Sequence, residues 1–281
     1  MDKKPTLKLK SLACALLAAV MVFSFAGCKD RSEQPSESSS SESSSMVEEP
    51  SQDPGDPSEP EKETMDKIAA AKAQNSDVIG WLTIPNTTID AEVLQKVGDN
   101  TFYERRDITK KYNWYGCYYA DGGNTFGTRN DLTKNTIIYG HNMEDRPNGL
   151  KFAQLTHYLD PDWASKNPYI YFSTPEDDMV FQVYAVFYTD TSFQYHLEKP
   201  DTATFDNIIK EARLRSELNY DVDVNNGDKI LTLSTCTYKF GGPSNTNQRF
   251  VVQARLLRAG EEIKDTVKVT KNPNPKAPNF N

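Results

Sequence analysis

Cysteine and histidine are scarce in this sequence of 281 residues, which holds four of the first and three of the second. Cys14 sits inside an apolar N-terminal run and Cys28 ends it, so only Cys117 and Cys236 fall where a core can form. Two thiols make no disulfide framework. His141, His157 and His196 show none of the paired spacings that build zinc sites, and the segment 121–130 lacks an EF-hand pattern, so no metal and no other cofactor is expected. Basic residues are outnumbered, 32 against 40 acidic, for a net charge of −8. That deficit is local. Residues 29–64 hold 11 acidic against 3 basic side chains and residues 1–28 four lysines against Asp2, which leaves −3 for residues 65–281. A near-neutral folded part carries no basic stripe for nucleic acid. Internal repeats are absent.

What is present begins with an export signal. Lys3, Lys4, Lys8 and Lys10 precede the apolar stretch Leu12 to Gly27, whose 16 residues fall short of the roughly 20 that cross a bilayer comfortably. The stretch ends Phe25-Ala26-Gly27-Cys28, similar to a bacterial lipobox, and two fates follow. Either the chain is cleaved before Cys28, whose thiol is then lipidated, or residues 1–28 stay as a signal anchor. Either tethers the chain to the extracellular face of the bacterial cell membrane. Residues 29–64 are mostly Ser, Glu and Pro, too polar to offset their ordering entropy, and predict a disordered stalk reaching roughly 30–35 Å. At the other end, 261–281 forms a tail whose Pro- and Asn-rich part, Lys271 to Asn281, is expected to fray.

Between these lie alternating apolar segments bounded by turn residues. They predict strands at Val78–Ile84, Asp90–Leu94, Cys117–Ala120, Asn135–Gly140, Tyr169–Ser173, Met179–Thr189, Lys229–Thr235 and Phe250–Leu257. Helices are expected at Glu61–Gln74, through Met65, Ile68 and Ala69, at Gly149–Tyr158, and at Thr204–Leu218, where Phe205, Ile208, Ile209, Ala212 and Leu214 supply the apolar face. The fold class is mainly β, a closed and mainly antiparallel eight-stranded β-barrel with an N-terminal helix and inserted helices.

Three residues stand at strand ends, where side chains can meet a substrate. Cys236 follows Leu231-Thr232-Leu233-Ser234-Thr235, and a thiol attacks an amide only as thiolate, so it needs a proton acceptor or a cation nearby. His141 closes the strand that starts at Asn135 and is the best-placed partner; His157 falls in a helix-like segment and His196 in a loop. Arg249 opens the last strand, on which Phe250, Val252, Ala254 and Leu256 share one face while Arg249 points outward with Val251, Gln253 and Arg255. Its guanidinium could face a developing oxyanion. Cys117, by contrast, reads as a small buried core residue.

The order His141, Cys236, Arg249, with Thr-Leu-Ser-Thr-Cys ahead of the thiol, resembles the sortase signature. The resemblance runs from Asn75 to Leu257 and includes Asn75-Ser76-Asp77-Val78-Ile79-Gly80-Trp81-Leu82, Asn135 to Met143, and Gln248-Arg249-Phe250-Val251-Val252. The N-terminal helix, the leading motif and the helix before the Cys strand point to class B. This resemblance implies that 65–260 is a catalytic domain, a cysteine transpeptidase that cleaves a sorting pentapeptide of surface proteins after Thr. It does so through an acyl-thioester on Cys236 and passes the acyl group to an amine of a cell-wall precursor or pilin. It also implies that Asn100, Tyr139, Thr191, Tyr195, Ser234 and Thr235 contact the sorting peptide. Glu104, where an apolar residue is expected in the groove, and Thr237-Tyr238 after the nucleophile depart from the family pattern. Two other readings stand beside this one: an L,D-transpeptidase, which usually has Arg just after its Cys, and a non-catalytic surface lipoprotein.

Overall fold

The computed structural model describes residues 62–242 and 247–280. The signal segment, Cys28 and almost all of the stalk lie outside the described residues. A helix α1 (Lys62–Gln74) opens the domain and buries Ile68 and Ala71, one turn apart, with Ala71 packed among Val78, Leu94, Tyr103 and Cys117. Ala69, which the sequence pattern placed on the apolar face, points to solvent.

Eight strands close the barrel: β1 (Val78–Thr83), β2 (Asp90–Gln95), β3 (Tyr118–Ala120), β4 (Asn135–Tyr139), β7 (Tyr169–Ser173), β8 (Asp178–Asp190), β10 (Ile230–Cys236) and β11 (Gln248–Leu256). Their order around the barrel is β1-β2-β3-β4-β10-β11-β8-β7. Each predicted strand is found within two residues of its expected ends. Pairing is antiparallel except for β2–β3 and β4–β10. The core gathers Leu82, Phe172, Phe181, Val186, Leu233 and Val252, all without exposed surface. Each such side chain contributes about 1.5–3 kcal/mol by leaving water.

The second face of β11 differs from its expected solvent exposure. Val251, Gln253 and Arg255 are buried as deeply as the apolar face. Gln253 and Arg255 find partners on neighbouring elements: Gln253 Oε1 accepts from Tyr184 Oη at 2.7 Å, Gln253 Nε2 donates to Thr232 Oγ1 at 3.0 Å, and Arg255 pairs with Glu261 at 2.6 Å, leaving its Nε without a partner among the described residues. Period-two alternation locates the faces of a strand but not what covers them.

The insertions also depart in detail. The expected helix Gly149–Tyr158 splits, because Lys151 adopts φ +58° and no α-helix passes through such a residue. Leu150–Lys151 becomes β6, paired with β5 (Asn142–Met143), followed by a 3-10 helix at Phe152–Leu159 and a short helix α2 (Pro161–Lys166) capped by the Asp160 carboxylate. Between β8 and β10 lies α3 (Thr202–Arg215), whose first turn is capped by Asp201 accepting from the Thr204 amide. Phe205, Ile208, Ile209 and Ala212 are buried at helical spacing, while Leu214 falls off the stripe and is 46% exposed. The helix stops at Arg215 because the chain turns into β9 (Leu218–Tyr220), which pairs with β12 (Val269–Lys271). The tail does not fray as its composition suggests: Asn272 N donates to Glu217 O, Lys276 N donates to Leu214 O, and Phe280 packs on Phe240. Among the described residues, no helix is long and apolar enough to cross a membrane.

Candidate active site

Strand register alone brings the three strand-end residues into a row. In the antiparallel pair β10–β11, Cys236 lies directly opposite Arg249, so their side chains leave the sheet on the same face. In the parallel pair β4–β10, Ser234 lies beside Tyr139. Two residues further along both strands are Cys236 and His141, again on one face. All three side chains line one cleft of about 280 Å³. Cys236 is solvent-exposed, whereas Cys117 is buried and its thiol is pushed up to about 12 by burial.

His141 sits just past the end of β4, so the ladder no longer holds it. A loop does so instead. Nε2 lies 2.7 Å from the backbone carbonyl of Glu104, and a carbonyl can only accept, so Nε2 carries a proton and Nδ1 of the neutral ring is the basic site. Burial pushes the imidazole below its ordinary 6.5, and the Arg105 and Lys151 cations act in the same sense, against the pull of the Glu104 carbonyl. The ring is therefore neutral at neutral pH. Gly116 makes this anchor possible, because at φ +55° a Cβ there would stand 2.2 Å from the Glu104 oxygen.

Around the row, Ser234 and Thr235 are buried strand residues. Ser234 Oγ is 2.9 Å from Tyr195 Oη, and Thr235 Oγ1 donates to the Gly140 carbonyl at 2.7 Å. Asn100 and Tyr139 form the far wall, both donating to Asp121 Oδ2, at 2.8 and 3.0 Å. Burial opposes the charge of Asp121, but these hydrogen bonds and one from Glu198 hold its carboxyl below the ordinary range. Glu198 is pushed up by burial and by that shared proton.

Of the residues expected at the peptide groove, Asn100, Tyr139, Ser234 and Thr235 line the cleft. Tyr195 is buried behind Ser234, and Thr191 is an exposed loop residue away from the cleft lining. His157 stacks on Trp163, and His196 packs beside Tyr195; neither lines the cleft. Sequence reasoning missed Thr101, Tyr119 and Gly140 as lining residues and Glu104 as the residue that orients His141. Glu104 acts there through its main chain, for which side-chain identity gives no signal. Among the described residues, no group of three or more His, Cys, Asp or Glu side chains could hold a metal ion.

An exposed thiol beside a neutral, oriented imidazole and a guanidinium can perform acyl transfer through a covalent intermediate. Residues 82–257 match the family model of the sortase domain. The chain is 31% identical over 196 residues to Sortase B of Listeria monocytogenes, covering 69% of this chain and 76% of that one. It is 27% identical over 200 residues to Sortase B of Staphylococcus aureus, covering 71% and 75%. Among solved structures, the S. aureus sortase B–substrate complex superposes with a TM-score of 0.61 at 26% identity, covering 70% of this chain and 87% of that one. Clostridium perfringens sortase B does so with a TM-score of 0.59 at 28% identity, covering 68% and 99%.

Proposed function

This chain belongs to the sortase family, in its class B, whose members are cysteine transpeptidases, and we propose that Cys236, His141 and Arg249 carry its reaction. The observation that supports these roles is the register row, which sets the exposed thiol between the imidazole and the guanidinium. Nδ1 of neutral His141 takes the thiol proton as sulfur attacks the carbonyl of a threonine in a sorting motif. The oxyanion of the tetrahedral adduct meets Arg249, which stays protonated throughout. As the peptide C–N bond breaks, His141 returns its proton to the leaving amine and a thioester remains on Cys236. The acceptor amine then attacks the thioester and gives its proton to His141. A new amide forms, and the departing sulfur takes the proton back from His141, which restores the thiol and the neutral imidazole.

The substrates on this reading are surface proteins bearing a C-terminal sorting signal, and the acceptor is an amine of a cell-wall precursor or of a pilin. The basic and apolar N-terminal segment supports a place on the extracellular face of the bacterial membrane, held by lipidated Cys28 or by an uncleaved anchor. Incubating the purified protein with peptides containing Thr-Gly or Thr-Asn bonds tests the chemistry. A mass increase on Cys236 equal to the N-terminal peptide fragment is expected, discharged by added amine and absent in Cys236→Ala. Cleavage that survives Cys236→Ala overturns the assignment.

A further inference from the structure

The ladder that aligns the reacting residues stops short of both. Its last registered pair is Ser234 with Tyr139, and the Gly140 amide reaches the Ser234 carbonyl only at 3.4 Å. Beyond that point a carboxylate takes over. Asp145, four positions after His141, accepts at Oδ2 from Thr237 Oγ1 at 2.8 Å and from the Tyr238 amide at 2.9 Å. Its Oδ1 accepts from Asn142 Nδ2 at 2.5 Å, and its own amide donates to Asn142 Oδ1 at 2.9 Å. Asn142 Nδ2 also donates to the carbonyl of Cys236 at 2.8 Å. Cys236, Thr237 and Tyr238 are thus tied in sequence to a pair of residues just after the base. Asn142 and Thr237 are 3% and 1% exposed, so the bonds they make are partly shielded from competing water, whereas the one from the Tyr238 amide is exposed.

The backbone records what it takes to hold this arrangement. Glu144 and Asp145 adopt φ of +86° and +49°, conformations that cost on the order of 1–3 kcal/mol each in residues with a Cβ and persist only where surrounding bonds over-determine them. The bonds around Asp145 do so.

We propose that Asp145 is a positioning residue for acyl transfer. Its carboxylate fixes the separation of Cys236 and His141 by clasping the chain after the nucleophile to the chain after the base. This inference rests on the reading of those two side chains as the reacting pair. Asp145→Asn replaces an acceptor with a donor and must abandon either Asn142 or the Thr237–Tyr238 side. Thr237→Val removes the hydroxyl donor at nearly constant volume, and Thr237→Ser restores it.

The experiment measures kcat and KM on a sorting peptide, together with the alkylation rate of Cys236 by iodoacetamide across pH, in variants whose circular dichroism matches that of the parent. Asp145→Asn and Thr237→Val are expected to lower kcat about 10- to 100-fold with KM changed less than about threefold, the cost of misplacing reacting groups by a fraction of an ångström to an ångström. Both should alter the pH dependence of alkylation, and Thr237→Ser should restore both readouts. Folded variants with parental kcat and a parental alkylation profile overturn the proposal, as does a loss that tracks only the fraction unfolded. Should Asp145→Asn fail to fold, Thr237→Val decides alone. A parent protein that cleaves no sorting peptide defeats the functional reading, while the alkylation profiles still decide whether the clasp sets the environment of the thiol.

Discussion

Two sides of the same cleft are built by different means. Cys236 and Arg249 stand on paired strands, opposite one another in a ladder that continues without a break from Cys236 to Ile230. His141 stands on a loop between a five-residue strand and a two-residue one, held by a carbonyl from the 101–116 segment and followed three and four positions later by two residues with positive φ. Cys236 and Arg249 take their positions from regular hydrogen bonding, which fixes spacing at the scale of the sheet. His141 takes its position from a few specific contacts, each of which one substitution can remove. Damage on the strand side should therefore remove chemical function, and damage on the loop side should remove alignment.

The largest effect tests the strand side. Arg249→Ala should lower kcat about 10²–10³-fold with the fold intact, as for loss of one oxyanion donor, and Arg249→Lys should recover only part because a point charge replaces a planar fork. Steady-state kinetics on a sorting peptide measure it, and an unchanged kcat would remove Arg249 from the mechanism. Gly116→Ala tests the loop side without touching any reacting group. A Cβ 2.2 Å from the Glu104 oxygen must displace that carbonyl and free the imidazole, with an expected loss of about tenfold or more in kcat. The His141 ring resonances should shift in the same variant. If they do not, the carbonyl is not what orients the ring.

Thr235→Val cuts the hydrogen bond that joins the two sides and leaves the Gly140 carbonyl without that donor. A loss of about 1–3 kcal/mol in urea unfolding is expected, with a smaller effect on catalysis. The smallest effect is electrostatic. Because burial lowers the pKa of His141 in the folded state, the unfolded chain takes up the proton first as pH falls through 6.5. The contribution of this group to stability is thus complete above pH 6.5 and is lost as pH falls through the folded value. His196, lowered by burial as well, adds a loss of the same sign. Urea midpoints measured at pH 7.5 and pH 5 should lie closer together in His141→Asn than in the parent, and an equal fall in both would show that the imidazole is not held neutral.

The same contrast explains what the sequence made legible. All eight barrel strands announce themselves through apolar alternation and turn residues, and Cys236 and Arg249 follow from standing at the ends of two of them. His141 is legible because its strand leads to it, but what holds it is not. The Glu104 carbonyl is main chain, identical in every residue, and Glu104 stands 37 positions from His141. Asp145 meets Thr237 across 92 positions, a proximity no local pattern encodes. Lys151 broke an expected helix through a φ that composition does not reveal, and the tail was pinned by partners on distant elements. Thr191, expected at the groove by likeness of motif, stands in an exposed loop and is not among the residues that line the cleft.

The parallel pairing of β4 with β10 has a consequence for the order of folding. Gly140 and Thr235, bonded in the finished barrel, are separated by 95 positions along the chain. Closing a loop of that length spends entropy before any contact rewards it, so such pairings form late. Until β4 and β10 pair, Cys236 and His141 stand apart and the thiol reacts as an ordinary one. On the proposed mechanism, acyl transfer is therefore switched on only when the barrel closes, late in folding.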